Sequence, residues 1–167
     1  SGTTTLQDFL KSNNDALAQQ GFVTHRRLGS KLARGFTPWQ KRTRFLRKSG
    51  LKSRTAQERL LQKSKEELAT LVQSEQNSGK TLVLSCEHFY MLGSYGDALE
   101  EIRDFFYQHF ETVEIICYFR DAVDYVPSGY CQNLRGAYTG SLAASIDVYL
   151  KSDRWRYFSN YQNWSAV

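Results

Sequence analysis

Apolar residues recur at helical spacing over residues 4–20, at Leu6, Phe9, Leu10 and Leu17, with threonines in front of them and Gly21 behind. This predicts a helix that begins almost at residue 1, followed by a short apolar patch over 21–25 that reads as an edge strand. Between residues 55 and 76 the helical period returns at Leu60, Leu61, Leu68, Leu71 and Val72, and Asn77-Ser78-Gly79 closes it. The period then changes. Residues 81–85 form a continuous apolar run, expected of a strand covered on both faces in a parallel sheet. Residues 96–110 are again helical, with Leu99, Ile102, Phe105 and Phe106 on one face, and 113–119 reads as a second buried strand. Residues 122–134 and 141–151 read as helices, the first expected to end or kink at Pro127.

Alternation of helix and strand implies an α/β fold of three layers, a mostly parallel sheet flanked by helices, whose ligands bind at the carboxyl ends of the strands. A length of 167 residues suits one domain, so residues 1–167 are taken as a single unit. Ser1 opens abruptly on a motif and Val167 closes inside an aromatic pattern (Trp155, Tyr157, Phe158, Tyr161, Trp164), so the expected domain is an incomplete one, lacking its first strand. The aromatic tail is read as packing.

Charge narrows the ligand. Lys and Arg outnumber Asp and Glu by 22 to 17, a net charge of +5, which favours an anionic partner. Residues 26–54 hold eleven Lys or Arg and no acid, interleaved with Phe36, Trp39 and Phe45. Such a mixture suits an acidic sugar polymer, RNA or DNA, or a solvated insertion with no ligand. The three cysteines, Cys86, Cys117 and Cys131, are too far apart for a zinc knuckle and read as buried thiols, and no metal cluster is expected. No apolar run reaches the ~18 residues of a membrane span and no leader pattern opens the chain, so a cytoplasmic location is expected unless a targeting segment lies upstream.

Three motifs carry candidate chemistry. Ser1-Gly2-Thr3-Thr4-Thr5 is a hydroxyl-rich turn entering a helix, where backbone N–H groups and the helix dipole favour an anion; it is equally the make-up of an ordinary helix cap. Arg120 follows the run at 113–119 and Ser128 comes eight residues later, positions from which both could meet one phosphate; Arg120 could also pair with Asp121 or Asp124. Ser85-Cys86-Glu87-His88 ends the run at 81–85, putting a carboxylate and an imidazole at the same crevice, although a surface carboxylate there is also ordinary.

Together these motifs resemble the sulfotransferase family over residues 1 to about 135. Its phosphosulfate loop is similar to Ser1, Gly2, Thr3, Thr4, Thr5 and Leu6, without the family's leading lysine, and its arginine and serine eight positions apart match Arg120 and Ser128. Arg120-Asp121-Ala122-Val123-Asp124 is similar to the family's Arg-Asp-Pro-Val-Asp, with Ala122 in place of proline. The resemblance implies a P-loop-type fold and a donor, 3'-phosphoadenosine 5'-phosphosulfate, held by Ser1 to Thr5, Arg120 and Ser128. It implies an acceptor hydroxyl on a carbohydrate, deprotonated by Glu87 or, second, His88, with no metal. The basic stretch, which follows the first helix, makes an acidic glycan the preferred acceptor and nucleic acid the less favoured partner. The absent lysine would leave weak donor binding if the polypeptide truly began at Ser1. A P-loop kinase and a basic nucleic-acid or glycan-binding module are the competing readings, the first disfavoured because the turn is shorter than Gly-x-x-x-x-Gly-Lys-Ser/Thr.

Overall fold

A computed structural model describes residues 2–41, 50–118, 121–135, 138–151 and 157–166. They form a helix-rich α/β arrangement in two compact units, one up to Val113 and one from Glu114 to Ala166.

In the first unit α1 (Gly2–Ser12) and α2 (Asn14–Gln19) divide the expected N-terminal helix at Asn13, and Gly21 closes α2 with a positive φ of 84° that only glycine adopts freely. β1 (Phe22–Thr24) and β2 (Thr81–Val83) pair in parallel, with Phe22 opposite Thr81 and Thr24 opposite Val83. The crossover between them runs through α3 (Leu28–Phe36) and α4 (Arg54–Gln73). After β2 come α5 (Phe89–Leu92) and α6 (Gly96–Tyr107).

α3 lies inside the basic stretch and forms the centre of the core. Leu28, Leu32 and Ala33 are wholly buried and Phe36 nearly so, while Lys31 and Arg34 alternate with them. Its apolar face packs on α4, where Leu68 and Ser64 are buried, and toward α6, where Phe36 meets Phe105 at 5.8 Å between ring centres. Lys65 of α4 sits 4.9 Å from the Phe36 ring and 5.3 Å from the Phe105 ring while reaching Glu101, which joins three helices through one side chain. The solvated-insertion reading therefore fails for residues 28–36; residues 42–49 lie outside the described set.

Two glycines let α3 come this close. A Cβ on Gly35 would stand 2.8 Å from the Leu61 side chain and 3.0 Å from its Cα, and one on Gly29 would stand 3.3 Å from Cys86 Cβ and from the Phe89 ring. The last carbonyls of α3 are satisfied by a buried glutamine of α4: Gln57 Nε2 donates to the oxygens of Arg34 at 2.7 Å and Thr37 at 2.6 Å.

In the second unit α7 (Ala122–Arg135) begins at Asp121, whose carboxylate accepts from the Val123 amide at 2.7 Å. α8 (Leu142–Leu150) begins at Ser141, which accepts from Ala144, and α9 (Tyr157–Ser165) follows. Gly129 of α7 faces the buried Tyr149 of α8, where an added Cβ would collide with the phenol.

Four expectations change. Residues 113–118 are not a buried strand: Ile116 is 69% and Tyr118 83% exposed, and no strand among the described residues pairs with them. An apolar run becomes a strand only where a neighbour takes up its backbone groups, and the one ladder described is β1 with β2. β2 is shorter than the run at 81–85 and half-buried, because a two-stranded sheet offers little cover. Pro127 does not end α7; the helix passes through it, forgoing one amide donor. The thiols differ too, since Cys117 and Cys131 are exposed and only Cys86 is partly buried. No helix among the described residues is long and apolar enough to cross a membrane.

Gly35→Ala tests the closeness of α3 and α4. Overpacking against Leu61 should lower stability by about 1–3 kcal/mol, read by denaturant unfolding. An unchanged midpoint would mean the two helices sit farther apart.

Candidate functional site

The carboxyl ends of β1 and β2 face α1, and a hydrogen bond fixes that approach: Gln7 Nε2 of α1 donates to the Ser85 carbonyl at 3.2 Å. α1 opens with the threonine turn, whose Thr4 and Thr5 are exposed and whose first turn contains no acid. The structure thus joins two of the three motifs in one unit, the threonine-led helix and the Ser85–His88 turn.

That turn is held at its centre by Cys86. The His88 amide donates to Cys86 Sγ at 3.4 Å and the Phe89 amide to the Cys86 carbonyl at 3.4 Å, while Gly29 of α3 lies beside Cys86 Cβ. Burial pushes the Cys86 thiol above its ordinary value, and the amides of His88 and Phe89 pull the other way more weakly. Glu87 points outward, its side chain 61% exposed, and His88 Nε2 stands 3.9 Å from its Oε1 with 28% exposure. At that exposure the Glu87 carboxylate is within reach of a hydroxyl brought from solvent.

Ser1 and Arg120 lie outside the described residues. Ser128 is half-buried on α7 in the second unit, next to Gly129. Asp121, one of the two acids that could have paired with Arg120, caps α7 with its carboxylate.

Between α1 and the two strand ends lies a crevice of about 270 Å³. Leu10 and Val83 form its apolar part; Thr24 and Ser85 bring hydroxyls, and Lys11 and Arg26 bring charge, with no carboxylate in the lining. Thr24 Oγ1 donates to Asn14 Oδ1 at 2.7 Å, which fixes that amide with its nitrogen free to donate. His25 also lines the crevice but is engaged at both nitrogens: Nδ1 accepts from the Leu28 amide at 3.1 Å, capping α3, and Nε2 lies 3.1 Å from Glu67. Glu67 also binds Lys31 at 2.6 Å.

Lys11, Thr24 and His25 escaped the sequence reading, and Arg26 entered it only as one of the eleven cations of the basic stretch. The signal was available, because the rule that ligands meet the carboxyl ends of parallel strands applies to β1 as it does to β2. Among the described residues no three His, Cys, Asp or Glu gather as metal ligands. Compared with protein-family models, curated proteins and solved structures, the chain matches none of them.

The packing of the turn has a chemical consequence. At pH 8 iodoacetamide should label the exposed Cys131 about tenfold faster than Cys86, because the thiolate is the nucleophile and burial holds Cys86 protonated. Peptide mass spectrometry after timed quenching reads the order; Cys86 labelling first would show the turn to be open.

Proposed function

We propose that the chain is a sulfotransferase domain that moves a sulfonyl group from 3'-phosphoadenosine 5'-phosphosulfate to a hydroxyl of a carbohydrate. The observation that supports this reading best is the 3.2 Å bond from Gln7 to Ser85, because it joins the helix that the threonines open to the turn that carries Glu87.

The residues fit such a donor in kind. The amides and hydroxyls that open α1 present donors and the positive end of a helix dipole, and no acid in that turn opposes an anion. Glu87 takes the proton of the acceptor hydroxyl as its oxygen bonds to sulfur, and the bond from sulfur to the bridging phosphate oxygen breaks. Charge gathering on that oxygen is stabilised by the α1 amides with Thr4 and Thr5. His88, 3.9 Å from Glu87, is placed to stabilise the carboxylate or to take the proton in its stead. Arg120 and Ser128 are assigned to the donor's 3'-phosphate on the resemblance of their spacing. A three-layer P-loop-type sheet belongs to the same proposal, in which β1 and β2 are two of its parallel strands.

The spent donor, 3'-phosphoadenosine 5'-phosphate, should raise the melting temperature, since a ligand at a hundred times its Kd stabilises by about 2.7 kcal/mol. Arg120→Ala should abolish that rise. Glu87→Gln should keep it while lowering turnover by about 10²–10⁴-fold. No rise in the unaltered protein would sink the proposal, and loss of nucleotide binding in both variants alike would remove the assignment of Glu87 as base.

A further inference from the structure

The crevice beside α1 is chemically unlike the start of that helix. Its volume of about 270 Å³ falls below the ~300–1,000 Å³ typical of pockets for drug-sized ligands, so it fits one sugar ring better than a nucleoside bisphosphate. Its charge comes from side chains that nothing else claims. Lys31 of α3 is bound to Glu67, whereas Lys11 and Arg26 form no ion pair among the described residues. The lining supplies what a sugar needs beyond charge: the Asn14 amide, the Ser85 hydroxyl, and the Leu10 and Val83 side chains against a ring's C–H face. It also reaches Ser85, two residues before Glu87.

Resting on the sulfotransferase proposal, we infer that this crevice seats a sugar unit of the acceptor that already bears a sulfate or carboxylate, with Lys11 and Arg26 binding the anion. The enzyme would then select acidic glycans through two residues at one place rather than through the whole basic stretch. His25 acts as a positioning residue: joined to the Leu28 amide and to Glu67, it fixes the chain at Arg26 relative to α3.

Calorimetric titration of the unaltered protein with glucose 6-sulfate, glucuronic acid, glucose, inorganic sulfate and the spent donor tests this. Both charged sugars should bind saturably, with glucose and inorganic sulfate weaker by about tenfold or more. Lys11→Ala and Arg26→Ala should each weaken the charged sugars by about tenfold, and Lys52→Ala should not, with melting curves confirming that all three variants fold. Glucose binding as tightly as its sulfate, sulfate ion binding as tightly as either charged sugar, or indifference to both crevice substitutions would overturn the inference. Displacement of the sugar by the spent donor, with Arg26→Ala weakening the donor too, would assign the crevice to the nucleotide and overturn the inference while sparing the sulfotransferase proposal. Charged-sugar binding that depends on Lys11 and Arg26, in a protein that does not bind the spent donor, would uphold the crevice as a sugar site and reject sulfonyl transfer.

Discussion

Gln57 is buried in a helix whose outer face is Glu, Gln and Lys, and its one amide nitrogen reaches the carbonyls of Arg34 and Thr37 at 2.7 and 2.6 Å. Left dry, those carbonyls would each cost about 1–3 kcal/mol, so the contact fixes where α4 crosses α3 as well as stabilising the crossing. A slip of one turn would remove the amide from the carbonyls and drive a larger side chain into the place of Gly35 against Leu61. With α3 held at its carboxyl end, its amino end has one position. There Gly29 lies on Cys86 and Phe89, and His25 caps the Leu28 amide. Both edges of the candidate site, the Ser85–His88 turn and the Thr24–Arg26 strand end, are thus located by the helix that Gln57 anchors.

This dependence explains what could be read from the chain. α4 and α6 were legible because their apolar residues keep the helical period among polar ones, and Gly21 marked the end of α2 because only glycine takes its φ easily. α3 was hidden by composition. Leu28, Leu32, Ala33 and Phe36 also keep a helical period, but the charges between them drew attention to solvent, although Lys31 and Arg34 sit on a helix whose other side is the core. The apolar residues at 113–118 misled in the opposite direction, since hydrophobicity marks a segment that could be covered and a strand exists only where another supplies hydrogen bonds.

The site was legible in its parts and not in its assembly. A serine, a glutamate and a histidine after an apolar run, and threonines before a helical one, are visible as letters; that Gln7 ties one to the other is not, because glutamine seven residues into a chain carries no signal of its own. Lys11 belongs to a helix and Arg26 follows a strand, and they share a crevice only because β1 runs parallel to β2 beneath α1.

Net charge is a poor guide to where an anion binds, and this chain shows why in physical terms. Glu67 alone engages Lys31 and His25, and Glu58 engages Arg54, so part of the positive excess is compensated where it stands. Fields from the remainder fade over a Debye length of about 8 Å at physiological ionic strength, which confines attraction to cations close to the ligand. Lys11 and Arg26 stand in a concavity without a carboxylate and with hydrogen-bond donors at hand. Of the acid-free stretch at 26–54, Arg26 is the described cation that borders the crevice, while Lys31 is bound to Glu67 and Arg54 to Glu58.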